Sequence, residues 1–152
     1  MTWRSLAIIS LLTFGTTPGP RDAGAAERDT AAIVNSGSTN RPGFRIVVDR
    51  SGAAEFTPTR RRRALQPDET SPVKMTIPRA LTERFYADLK AASPFASLPA
   101  AHCMKSVSFG STLVIELGGE QTPDLSCGDG GNAVVGSLIR DCNEIVAVFQ
   151  GQ

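Results

Sequence analysis

The sequence contains a single histidine, His102, and three cysteines, no two of them in C-x-x-C spacing. Structural and catalytic metal sites draw on several Cys, His or carboxylate ligands at short fixed spacings, so no metal or other cofactor is expected. A long hydrophobic run is also missing. The longest, Leu6 to Phe14, is nine residues, against the roughly twenty that a spanning helix needs. Charge of one sign is missing too: sixteen basic residues face fifteen acidic ones. A balanced chain has no field to draw it to nucleic acid or to an anionic membrane. Aromatics are sparse, with one tyrosine and one tryptophan, Trp3.

What the chain does have begins at its first residue. Met1 to Ala26 carries an early positive charge at Arg4, then the apolar run, then small residues ending in Ala23-Gly24-Ala25-Ala26. That order is the layout of a secretory signal peptide. The remainder is expected to be exported, to the periplasm or beyond, with no stable membrane insertion once the signal is removed. Nucleic acid is excluded as a partner on this ground as well. Residues 27–152 suffice for one domain. In an oxidising compartment Cys103, Cys127 and Cys142 read as one disulfide and one left-over thiol, with three pairings open.

Residues 27–42 are rich in Ala, Thr, Asn, Ser and Gly without apolar period, and read as a disordered lead-in to a domain over 43–152. Phe44 to Arg50 and Ala53 to Thr57 read as a hairpin turning at Ser51-Gly52, stopped by Pro58. Two prolines and the run Arg60-Arg61-Arg62-Arg63 then make residues 59–72 an exposed, mobile loop, followed by a short extended piece, Val73 to Ile77. Leu81, Phe85, Leu89 and Ala92 recur on one face of a helix that opens at Pro78 and stops at Ser93-Pro94.

From Ser106 to Glu116 the residues alternate, with Val107, Phe109, Leu113, Ile115 and Leu117 in the apolar phase and Ser106, Ser108, Thr112 and Glu116 in the wetter one. Gly118-Gly119 reverses the chain. A three-residue loop would set Leu113 opposite Leu125 with both inward, and is preferred to a two-residue loop that opposes Leu113 to Asp124. Pro123 marks an edge. A last helix, capped by Asn132 or Asp129, carries Val135, Leu138, Ile139, Cys142, Ile145, Val146 and Phe149 on one face. Arg140 and Glu144 are an i,i+4 pair on the other. That helix needs a sheet beneath it, because its burial alone does not offset ordering its backbone. The order ββαββα with hairpins predicts an α+β fold, an antiparallel sheet with helices on one face.

No catalytic residue is assigned. His102-Cys103 are chain neighbours that point apart, and a thiolate nucleophile needs a base reaching it through space. Ser71-Pro72-Val73-Lys74 has Ser-x-x-Lys spacing, but Pro72 breaks it and its companion motifs are missing. Asp124, Ser126 and Asp129 hint at calcium without the further ligands of a calcium loop. Gly128 to Asn132 is explained by turn chemistry before anion binding.

The block Cys103-Met104-Lys105-Ser106-Val107-Ser108-Phe109-Gly110, with Pro123-Asp124-Leu125-Ser126-Cys127, resembles a pattern of small uncharacterised exported bacterial proteins. The resemblance implies a Cys103–Cys127 disulfide with Cys142 unpaired, and no known activity. In the preferred register that bond requires the chain to bend back near Gly110-Ser111, as at a β-bulge. The element order is also similar to that of emfourin-type protease inhibitors, in layout alone. The expected function is a non-enzymatic binding module for an envelope or extracellular protein. Its candidate surfaces are Arg60 to Arg63 and the face bearing Ser106, Ser108, Thr112 and Glu116. A small secreted hydrolase or a protease-inhibitor-like protein is the alternative.

Overall fold

A computed structural model describes residues 29–59, 71–106 and 108–151. The signal-like segment and Arg60 to Arg63 lie outside these described residues. Six strands form one sheet: β1 (Thr30–Asn35), β2 (Gly43–Asp49), β3 (Ala53–Thr59), β4 (Val73–Thr76), β5 (Leu113–Leu117) and β6 (Glu120–Gln121). Among the described residues two α-helices accompany the sheet, α1 (Arg79–Ala92) between β4 and β5, and α2 (Ala133–Gln150) after β6. The spatial order is β4-β3-β2-β1-β5-β6, with every pairing antiparallel. This is the α+β architecture expected, with both helices packed on the sheet.

The core face can be followed in rows across the strands. Phe56, Ile46, Ile33 and Ile115 are successive cross-strand partners, as are Ala54, Val48, Ala31 and Leu117. Of these, Ala31, Ile33, Ile46, Val48 and Ile115 are fully buried. Helix α1 lays Leu81, Phe85, Leu89 and Ala92 on them, and α2 adds Val135, Leu138, Cys142 and Ile145. Pro78 caps α1, and the chain leaves it in extended conformation at Ser93, before Pro94. Asn132 caps α2, its Oδ1 accepting from the N–H groups of Val134 and Val135 at 3.0 and 3.1 Å.

Three expectations are corrected. The segment 27–42 is not a disordered lead-in, because it contains β1, which sits in the middle of the sheet between β2 and β5. Ala31, Ala32 and Ile33 are all buried. Its propensity is weak, but pairing along both flanks supplies what its side chains do not. The domain therefore begins before residue 43. The strand β3 also runs through Pro58 to Thr59, so Thr59 belongs to the sheet rather than to the loop. Strand β4 pairs with β3 only at Ala53–Phe56, so among the described residues no strand pairs with Pro58 on that flank, where a proline fits.

The second hairpin is the third correction. Gly118 and Gly119, at φ +58° and +82°, make a two-residue turn that opposes Leu117 to Glu120 and Glu116 to Gln121. Extended, this register sets Leu113 against Asp124, the pairing the hydrophobic argument disfavoured. The cost is avoided because the backbone ladder ends at Thr122, whose N–H donates to the Ile115 carbonyl at 2.9 Å. Asp124 Oδ1 accepts from Leu113 N–H at 3.0 Å and Thr122 Oγ1 from Ile115 N–H at 3.0 Å. Leu125 then enters the core from a 3₁₀ turn, Leu125–Cys127, so sheet phase no longer governs it.

Candidate functional site

The disulfide joins Cys103 to Cys127, and Cys142 is a buried free thiol on α2. Burial pushes the Cys142 thiol up to about 12, with the Asp141 carboxylate adding to the shift. The bond forms without a bulge in a strand. Residues 101–106 and 108–112 have no strand structure, and Gly110 N–H closes a turn onto Ser106 C=O at 2.6 Å. With Cys103 oxidised, its sulfur is not available as a nucleophile beside the exposed His102.

Next to the disulfide lies a cluster whose assembly was not anticipated. Lys105 Nζ donates to Ser126 Oγ at 2.6 Å, to the Ser111 carbonyl at 2.7 Å and to Asp124 Oδ2. Ser126 Oγ also lies 2.7 Å from Asp124 Oδ1. A serine against a lysine suggests nucleophilic catalysis, but the geometry supplies no base. All three ammonium hydrogens are engaged. Burial raises the Asp124 carboxyl, but hydrogen bonds from Lys105, from Leu113 N–H and from Ser126 outweigh it and hold the pKa down to about 2. A carboxylate that weak as a base does not take a serine proton at neutral pH. The ammonium also occupies the oxygens that the calcium reading of Asp124 and Ser126 required. The cluster is a clasp that, with the disulfide, pins the 103–112 loop to the turn at 124–127.

A second polar cluster ties the helices together. Asp141 of α2 is fully buried, and its Oδ1 accepts from Arg84 Nε of α1 at 2.7 Å, while Arg84 Nη2 reaches Glu144 at 2.6 Å. Arg140 lies 3.5 Å from Asp88 and 3.8 Å from Asp141. The expected Arg140–Glu144 pair is therefore replaced by two cross-helix contacts. Burial pushes the Asp141 carboxyl up; Arg84 opposes this and neighbouring Asp88 adds to it.

The expected outer face does not assemble. Ser106 and Ser108 lie in the stapled loop, Thr112 precedes β5, and only Glu116 is on the sheet, paired with Arg45 of β2 at 2.7 Å. The alternation from Ser106 to Thr112 is real in the sequence, but the disulfide and clasp draw those residues out of the ladder. At the start of α2, Asn132 takes the amides an anion would have used.

A concavity of about 690 Å³ opens at the end of the sheet between the 36–42 turn, the 108–112 loop and the last turn of α2. Phe44 stacks on Phe56 with ring centroids 5.6 Å apart, and Phe56 meets Phe149 at 5.5 Å. Phe109 stands on the rim, 67% exposed. Backbone bonds from Ser36 N–H to Thr112 C=O at 3.0 Å and from Asn40 N–H to Ser108 C=O at 3.3 Å hold the two walls side by side. The aromatic signal was present in the sequence, but it is spread over four segments that only the fold brings together. Arg41 is the charged residue of the lining, and its guanidinium has no ion pair among the described residues. No protein-family model matches the chain, and no curated protein is similar to it.

Proposed function

We propose that this protein is a non-enzymatic binding module acting outside the cytoplasm, and that its ligand site is the aromatic groove at the end of the sheet. The observation that carries this reading is the groove itself: about 690 Å³, walled by Phe44, Phe56 and Phe149, with a polar rim. That is the size and lining of small-ligand sites. The disulfide and the signal-like first twenty-six residues support export. So does the resemblance of the Cys103–Cys127 block to exported bacterial proteins.

A small-hydrolase reading has one observation in its favour, the 2.6 Å contact between Lys105 and Ser126. Activity profiling of the purified protein with acyl and phosphoryl ester substrates separates the two. The binding reading expects no turnover that depends on Ser126, together with amide NMR shifts around Phe44, Phe56 and Phe149 when apolar fragments are added. Turnover lost on Ser126→Ala overturns it.

A further inference from the structure

The geometry points to a small carboxylate with a flat apolar body as the ligand of this groove, its anionic end bound by Arg41. The inference rests on the binding-module reading and adds to it the charge of the ligand. Among the described residues the lining carries one guanidinium, Arg41, and no acidic residue. A cation at the mouth of an apolar cleft, with no carboxylate to balance it, favours an anion and disfavours an ammonium.

A second observation lies beside it. Ser38 belongs to the same turn, its N–H donating to the Arg41 carbonyl at 2.8 Å. It is only 5% exposed, and its hydroxyl has no hydrogen-bond partner among the described residues. Buried hydroxyls are ordinarily paired, and one left unpaired costs free energy. A ligand oxygen beside the 36–42 turn gives Arg41 a charge-assisted partner, and gives the Ser38 hydroxyl an acceptor once that side chain rotates toward the groove. Much of the remaining lining is aromatic. The Phe44–Phe56–Phe149 series presents ring faces and edges, with Phe109 at the rim, and a planar body packs against such surfaces in offset or edge-on contact.

The test compares three isosteric probes by calorimetric titration of the full chain: naphthoate, neutral naphthamide and naphthylmethylammonium. Naphthoate is expected to bind about tenfold more tightly than the amide, the factor given by one charge-assisted bond, and the ammonium more weakly than either. Arg41→Gln removes most of the difference between naphthoate and the amide, weakening naphthoate far more than the amide. Phe109→Ser, on the exposed rim, weakens both without threatening the fold. Equal binding of acid and amide, unchanged in Arg41→Gln, overturns the carboxylate inference and leaves the groove reading standing. Binding of none of the probes overturns both.

Discussion

Arg84 Nε meets Asp141 Oδ1 at 2.7 Å, so that the one fully buried carboxylate in the α1–α2 contact is held from the opposite helix. Removing the guanidinium leaves that buried charge with only the longer contact to Arg140, at 3.8 Å. Arg84→Ala is expected to cost about 3–5 kcal/mol in denaturant unfolding. Arg84→Met combined with Asp141→Leu is expected to recover most of it, because the buried charge goes too. A double variant no more stable than the single one would show that the pair is not the source of the loss.

The strand β1 makes a direct claim on stability. Ile33 is fully buried, opposite Ile46 on one side and Ile115 on the other. Ile33→Ala should destabilise the protein by about 2–5 kcal/mol, the cost of a core cavity. A chain beginning at Pro42 should lose cooperative thermal unfolding altogether. Folding of that shortened chain would return residues 27–42 to the status of a dispensable tail.

The clasp predicts acid sensitivity. Asp124 titrates at about 2 in the fold against 3.8 without it, so its contribution is complete above the unfolded value and is lost as pH falls from about 4 to 2. The linkage amounts to about 2 kcal/mol. Asp124→Asn should remove this part of the acid dependence. Asp141 has the opposite sign: its pKa is raised by burial, so its contribution is most favourable in acid and is lost as pH rises through the folded value. Comparing stability against pH for Asp124→Asn and Asp141→Asn separates the two.

The cysteines divide cleanly in reactivity. Cys142 is buried, with its thiol at about 12, so iodoacetamide should label nothing in the native protein and one site after denaturation. Reduction then exposes two more. Replacing Cys103 and Cys127 by serine opens a loop spanning a sequence separation of 24 and should cost about 2–4 kcal/mol. It should also loosen the Phe109 rim of the groove, read as faster amide exchange over 108–112. Native labelling of Cys142 would contradict the packing of α2.

Both helices and the first hairpin were legible because their information is local. Leu81, Phe85, Leu89 and Ala92 repeat at helical spacing whatever they pack against, and all four are buried. Gly52, at φ +89°, marks its turn by itself. The second hairpin departs from the expected register because turn length, not hydrophobic phase, decides it. Two glycines that both take positive φ favoured the short turn, and Leu125 reaches the core without the ladder. Arg140 and Glu144 illustrate another limit. Their i,i+4 spacing was correct, yet each finds a better partner on α1.

The sequence by itself determined the elements with a strong internal period, the turn glycines that join them, and the α+β class that follows. Only the tertiary structure decided that Thr30–Asn35 is a central strand, that Lys105 closes onto Asp124 and Ser126, and that four phenylalanines from distant segments share one groove. The physical reason is the range of the interactions. Periodicity records which face of a segment turns inward, a property of one segment. Strand neighbours, clasps and cavities depend on pairs of segments, and their energies appear only when the chain brings both partners together.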